Sequence, residues 1–350
     1  MVLERHPQNP IIRPQDVKPT RPDFEVIGAF NCGATLFNDE VILLMRVAER
    51  PKEVIPGVVR CPHLNPYGEL VLLELPRHDD RYDFEDSRFV LNRQTGELWL
   101  TSISHLRLAR SHDGVHFTIA EQAWLYAEQT LESFGVEDAR ITHLEGQYYV
   151  NYTAVSPYGI ATGLACTTDF ETTQREGIIF PPSNRDVVIF PQKMNGMYVC
   201  YHRPMPGMFG GYHIWMATSP DLKHWGQHQV VLEAKPDGWE SGRVGGGAPP
   251  IYTEAGWLSI YHAADRHDHY CLGAFLTPHD HPDQIIAISK EPIFWPQAPY
   301  ETDGFFGNVV FTCGAVAQGD LLRVYYGAAD ECVALAEISI NELTTKLKVV

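Results

Sequence analysis

"DARITHLEGQYYVNYTA" (residues 138–154) carries the pattern on which the fold turns. A short apolar stretch reaches a Leu-Glu-Gly-Gln turn, and a second apolar stretch follows, ending in small or polar residues. This is the signature of a β-hairpin. The same internal order recurs in "GATLFNDEVILLMRV" from Gly33, "DVVIFPQKMNGMYVCYHRP" from Asp186, "GAPPIYTEAGWLSIYHAAD" from Gly247 and "NVVFTCGAVAQGDLLRVYYGAAD" from Asn308. A further strand leading into a polar turn often follows, as in "GLACTTDFE", "IWMATSPDLKHW" and "LGAFLTPHDHP". Three or four strands per unit, repeated about five times, predict a β-propeller. A β-sandwich is the alternative, but it does not require units of the same internal order. Helical periodicity is confined to the end, "INELTTKLKVV". The segment "EDSRFVLNRQTGELWLTSISHLRLARS" reads either as a sixth hairpin or as the outer part of the first unit. In the second case residues 51–84 form an insertion.

The chain has 350 residues and is 44% hydrophobic, ample for a large core. Its net charge of −17 argues against nucleic acid or an anionic membrane as partner. No apolar run approaches the roughly 18 residues of a membrane span, and the start lacks a signal-peptide layout. The seven cysteines are scattered, without a C-x-x-C pair, as in a reducing cytoplasmic compartment.

Against this acidic background, basic residues gather at equivalent strand ends of successive units. Arg46, His202, Arg203 and His262 end second strands, as does Asp330; Asn31, Asp138, Arg185 and Arg243 lie at or before first strands. Inter-blade ion pairing is the plain explanation for any one arginine. For Arg185, Arg203, Arg243 and His262 together an anion site is favoured, because several guanidinium forks close together need a compensating anion. "GRVGGGAPP" is not a phosphate loop, since it lacks the G-K-[ST] ending and precedes a strand. Its glycines instead suit close backbone approach. "DRHDHY" from Asp265 raises a metal site only weakly, and no Cys–His spacing of a structural zinc is present.

These segments, together with "FNCGA", "LLMRV", "GVEDAR", "NRDVVIFPQK" and "YHRP", resemble glycoside hydrolase family 130, the β-mannoside phosphorylases and related β-mannosidases, over nearly the whole chain. The resemblance implies a single five-bladed β-propeller spanning residues 1–350 with a short C-terminal helix, and 51–84 as an insertion. It places the catalytic acid on Asp138, relaying its proton through a mannose hydroxyl, rather than on Asp86 of the similar "FEDSR". It assigns phosphate binding to Arg185, Arg203, Arg243 and His262, and mannose binding to Asn31, Arg46 and Asp330. Arg243 stands where the family often has lysine, and Cys32 replaces a common proline. The activity implied is inverting phosphorolysis of a β-mannoside to α-mannose 1-phosphate, with phosphate as co-substrate and no metal or other cofactor. The similarity is greatest to members acting on β-1,2-linked mannobiose or short oligomannan. A β-1,4-mannosyl-glucose or β-1,4-mannosyl-N-acetylglucosamine phosphorylase, a hydrolase of the same fold and a non-catalytic sugar-binding propeller are the alternatives. Tyr158, Phe209 and Tyr212 are candidates for sugar stacking, and exposed sheet edges permit pairing with a second copy.

Overall fold

The computed structural model describes residues 3–128 and 130–350. The chain is all-β apart from short helical segments, of which Ile340–Lys346 closes the C-terminal region. Ser339 caps that helix by accepting a hydrogen bond from the Glu342 amide at 3.0 Å. Among the described residues, no helix is long and apolar enough to cross a membrane.

The strands form five antiparallel runs. The first comprises Phe24–Phe37, Glu40–Pro51, Ile103–Ser111 and Thr118–Leu125. The second comprises Gly135–Leu144, Gln147–Ser156, Gly159–Thr167 and Gln174–Phe180, and touches the first through one parallel pair, Gly135 with Ser104. The third runs from Asn184–Ile189 through Tyr198–Pro204 and Ile214–Ser219 to Gly226–Leu232. The fourth is built on Arg243–Gly246, Gly256–Ala264 and Tyr270–Thr277. The fifth is Val310–Gln318, Leu321–Ala328 and Cys332–Ser339, completed by Glu4–Arg5 from the other end of the chain.

Local sequence explains the hairpins. Asn38 and Asp39 (φ 48° and 64°) join Phe37 to Glu40, and Glu145 and Gly146 (φ 52° and 82°) join Leu144 to Gln147. Paired left-handed residues in a two-residue loop match the twist of the flanking strands. The first hairpin is longer than its sequence suggests. Its leading strand starts at Phe24, not near Gly33, because a bulge between Phe30 and Gly33 carries the ladder past Asn31 and Cys32.

Burial links the runs in order. Ile42 and Leu106 of the first pack with Val136 and Tyr152 of the second, and Leu144 and Leu164 of the second with Val187 and Cys200 of the third. Val188 and Tyr201 join Trp257 of the fourth, and Leu258 and Leu272 join Val310 and Val324 of the fifth. Ala29 and Leu43 return to Tyr325 and Leu335, connecting the last run to the first.

Glu40–Pro51 pairs directly with Ile103–Ser111. The residues between them make two small sheets of their own, Val58–Leu64 with Leu70–Pro76 and Tyr82–Asp83 with Phe89–Asn92 and Leu98–Leu100, around Cys61, Leu75 and Val90. The segment outside the runs therefore extends past 84 to residue 102. "EDSRFVLNRQTGELWLTSISHLRLARS" is divided, its first part in the small sheet and its last strand in the first run.

Candidate active site

The leading strands of three runs each carry a residue in the left-handed region at a bulge. Asn31 (φ 42°) lies between Phe30 and Gly33, Asp138 (φ 50°) between Glu137 and Arg140, and Asp186 (φ 57°) between Arg185 and Val188. A bulge leaves one residue unpaired and re-aims its side chain. Asn and Asp are the non-glycine residues that tolerate this conformation most readily. All three side chains are buried.

Asp138 is held by groups from three other strands. Asn31 Nδ2 donates to its Oδ1 at 3.1 Å, Arg46 Nη1 lies 3.5 Å from the same oxygen, and Arg185 Nη2 donates to Oδ2 at 3.3 Å. Arg46 also reaches Glu137 at 2.7 Å and Ser104 Oγ at 3.1 Å, and stacks over Phe30. Glu137 thus anchors Arg46. Burial raises the Glu137 pKa, with Arg46 opposing and Asp138 reinforcing the shift.

Asp186 is the hub of the basic cluster. Its Oδ2 lies 2.7 Å from Arg203 Nη2 and 3.3 Å from His262 Nε2, and its Oδ1 lies 3.3 Å from Arg140 Nη2 and 3.6 Å from Arg185 Nε. Burial would raise its pKa, yet Arg203, His262 and Arg185 hold it well below the usual carboxylate range. The His262 pKa is pushed down to about 4, chiefly by burial. Arg203 and Arg243 both lie over the Tyr212 ring, and Arg243 donates to Tyr270 Oη at 2.7 Å while pairing with Asp268. Several buried polar atoms here have no hydrogen-bond partner: Nε of Arg185 and Arg243, Nε and Nη1 of Arg203, both ring nitrogens of His262, one of which carries the proton of the neutral ring, and Asp186 Oδ2. Unpaired buried donors are costly, and so many in one cluster suit an anion with several oxygens.

A cavity of about 430 Å³ is lined by Asn31, Arg46, Asp138, Arg185 and Asp330, with Tyr270 in its wall. Five of the sequence-identified residues therefore line one cavity, and Arg203, Arg243 and His262 do not line it but are linked to it. Arg203 and His262 join through Asp186, and Arg243 through Tyr270. Asp330 (φ 51°) has its pKa raised to about 6, first by burial, with Arg46 opposing and Asp138 reinforcing. Asp86 does not line the cavity; its carboxylate forks with Arg88 at 3.0 and 2.7 Å, and Arg88 reaches the cavity wall over Phe306.

Sequence reasoning offered inter-blade ion pairing without recognising Asp186 as its hub, and missed Arg88 and the aromatic wall of Phe30, Phe306 and Phe311. Aligning "FNCGA", "VEDAR" and "NRDVV" by hairpin position would have placed Asp186 in the slot of Asn31 and Asp138. Of the stacking candidates, Tyr212 lies beneath the arginines, whereas Phe209 is exposed and Tyr158 lines a different cavity. In "DRHDHY", Asp265 bonds the His267 and His269 amides and the His269 ring, and no metal-binding cluster is present among the described residues. Cys32 is buried, and that burial pushes its thiol pKa up to about 12. All seven cysteines are free and buried.

The glycines of "GRVGGGAPP" do allow close approach. A Cβ on Gly245 would lie 2.5 Å from His262 Nε2 and 2.7 Å from Asp186 Oδ2. Gly245→Ala is expected to push His262 off the hub at a cost of about 1–3 kcal/mol. A thermal melt that matches the parent would contradict this packing.

A family model for glycoside hydrolase family 130, described as β-1,4-mannooligosaccharide phosphorylase, matches residues 87–348. The chain is 46% identical to the β-1,2-mannobiose phosphorylase of Listeria innocua, covering 100% of this chain and 99% of that protein. It is 39% identical to a 1,2-β-oligomannan phosphorylase of a Thermoanaerobacter species over 69% of this chain and 80% of that one. The solved structure of the Listeria enzyme with β-1,2-mannobiose superposes with a TM-score of 0.96, at 45% identity and 99% coverage of both chains. The match in sequence, along the full length and in three dimensions, means that this chain belongs to glycoside hydrolase family 130.

Proposed function

We propose that the protein cleaves β-1,2-mannobiose or short β-1,2-mannooligosaccharides by inverting phosphorolysis, releasing α-mannose 1-phosphate. The observation that carries this reading is the cluster of unpaired nitrogens on Arg185, Arg203, Arg243 and His262 next to a cavity lined by Asp138. An inverting glycosidase needs a general acid and a second carboxylate that activates water. Phosphate is already an anionic nucleophile, so it needs positioning and charge compensation instead of a base. Of the other carboxylates lining the cavity, Glu137 pairs closely with Arg46 at 2.7 Å, and Asp330 is assigned to the mannose.

In this scheme Asn31, Arg46 and Asp330 hold the mannose and Asp138 delivers the proton to the leaving oxygen through a mannose hydroxyl. The arginines and His262 hold phosphate in line with the anomeric carbon. The five antiparallel runs, with burial linking the last to the first, support one five-bladed propeller over residues 1–350, with 51–84 inside an insertion. The names and identities of the relatives favour the β-1,2 linkage over β-1,4. Seven unpaired cysteines support a reducing, intracellular setting.

The test is cleavage of β-1,2-mannobiose with and without phosphate. Turnover is expected only with phosphate, giving α-mannose 1-phosphate; equal rates releasing two free mannoses would overturn the reading in favour of a hydrolase. Arg243→Ala separates phosphate binding from stability, because Arg243 is bound to the partly exposed Asp268 and to Tyr270, outside the Asp186 hub. It is expected to raise the KM for phosphate about 10- to 100-fold, the loss of a charge-assisted contact, with little change in melting temperature.

A further inference from the structure

The histidine-rich loop "DRHDHY" joins the strands Gly256–Ala264 and Tyr270–Thr277 beside Arg243. Its shape is fixed from within. Asp265 Oδ1 accepts from the His267 and His269 amides at 2.8 and 3.0 Å, and the Asp268 amide donates back to the Asp265 carbonyl at 3.3 Å. The far end is tied down where the Tyr270 amide donates to the Asn308 carbonyl at 3.0 Å, just before the fifth run. This frame sets Asp268 at φ 61°, a left-handed position that aspartate tolerates. There its carboxylate meets Arg243.

Arg243 is a cation among cations. Burial lowers the Arg203 pKa, and the charges of Arg185 and Arg243 add to that shift against the pull of Asp186. Asp186 pairs with Arg203, His262, Arg140 and Arg185. Among the described residues, Asp268 is the one carboxylate in ion-pair contact with Arg243. The other partners of Arg243 are neutral: Tyr270 Oη at 2.7 Å and the Tyr212 ring at 5.9 Å. A guanidinium is a planar fork whose donors are fixed relative to one another. With Nη1 on Tyr270 and Nη2 on Asp268 the direction of Nε is set, and Nε is buried without a partner. Released from Asp268, a side chain already 30% exposed would be driven by like charges toward solvent.

We propose, on the basis of the phosphorolysis reading above, that Asp268 is a positioning residue for phosphate, holding Arg243 against the repulsion of Arg185 and Arg203 so that Nε stays aimed into the anion site. Asp268 acts through Arg243 and touches no substrate. An unrestrained arginine must give up rotamer freedom each time it binds an anion, and a side chain ordered in advance does not. This gain outweighs the part of the Arg243 charge that Asp268 offsets.

The experiment measures KM for phosphate at saturating β-1,2-mannobiose, and KM for mannobiose at saturating phosphate. The proteins are the parent, Asp268→Gly, Asp268→Asn, Arg243→Ala and the double variant Arg243→Ala with Asp268→Gly. Glycine and asparagine both accept φ 61°, so neither strains the loop. Asp268→Gly is expected to raise the KM for phosphate about two- to fivefold, the worth of a part-exposed ion pair, while kcat and the KM for mannobiose stay within about 1.5-fold of the parent. Asp268→Asn keeps an acceptor oxygen without the charge and should fall between. In the Arg243→Ala background, Asp268→Gly should have no further effect. In the reverse direction the KM for α-mannose 1-phosphate should rise likewise. A KM for phosphate that keeps the parent value or falls overturns the assignment; a fall would make Asp268 a competitor for Arg243. So does an equal effect with and without Arg243, which would make Asp268 a support of the loop alone. Absence of phosphate-dependent mannobiose cleavage in the parent rejects the underlying reading instead.

Discussion

Asp138→Asn is expected to reduce turnover by about 10²- to 10⁴-fold, the usual contribution of a positioned general acid, while the protein stays folded. Asparagine occupies the left-handed position of Asp138 (φ 50°) without new strain. It can still accept from Asn31. The two arginines each retain another carboxylate, Arg46 with Glu137 at 2.7 Å and Arg185 with Asp186 at 3.6 Å. Charge loss at this point should therefore cost chemistry far more than stability. The measurement pairs steady-state phosphorolysis with circular dichroism and a melting curve. A variant within tenfold of the parent would remove Asp138 from the proton transfer. Equal mannobiose binding by parent and variant with no turnover in either would point to a sugar-binding protein.

Asp186→Asn is expected to do the reverse in emphasis. Asp186 faces Arg203, His262, Arg140 and Arg185 from complete burial. Removing one side of a buried ionic network leaves the other side uncompensated, typically at about 3–5 kcal/mol. At roughly 2 °C per kcal/mol for a large domain, the melting temperature should fall by roughly 6–10 °C. Asparagine again fits the backbone, here at φ 57°, so the change reports charge and not strain. The pH dependence supplies an independent check. Because Asp186 is held well below its ordinary range in the folded protein, its contribution is complete above about pH 4, the unfolded carboxylate range. It is lost as the pH falls through the depressed folded value. The parent should therefore lose stability in acid more steeply than the variant. Matching acid limbs, or an unchanged melting temperature, would show that the hub is not what holds these cations together.

The repeat was legible because hairpin chemistry is local. Asn38-Asp39 and Glu145-Gly146 announce their turns, and apolar alternation marks the strands between them. The clustering of Arg185, Arg203, Arg243 and His262 was legible because equivalent positions in repeats converge in space. The limits of the small sheets were not, since Leu98–Leu100 and Ile103–Ser111 are adjacent in sequence and similar in pattern. Only pairing distinguishes them. Asp186 was not recognised as the hub for a related reason: a carboxylate next to an arginine reads as one ion pair among several, and nothing in "NRDVV" reveals that two further cations and a histidine arrive from other strands. The juxtaposition of residues 96–100 with 155–160 around one cavity is likewise encoded by no pattern within either segment.

The three left-handed bulge positions have a consequence for how such a site can change. Asn31, Asp138 and Asp186 occupy one recurring socket in successive leading strands, and each socket accepts either an amide or a carboxylate on the same backbone. An exchange between the two residue types at one socket therefore adds or removes a negative charge without rebuilding a loop. On the phosphorolysis reading the consequence differs by socket: an exchange at Asp138 alters the chemistry, and one at Asp186 alters what holds the cations together.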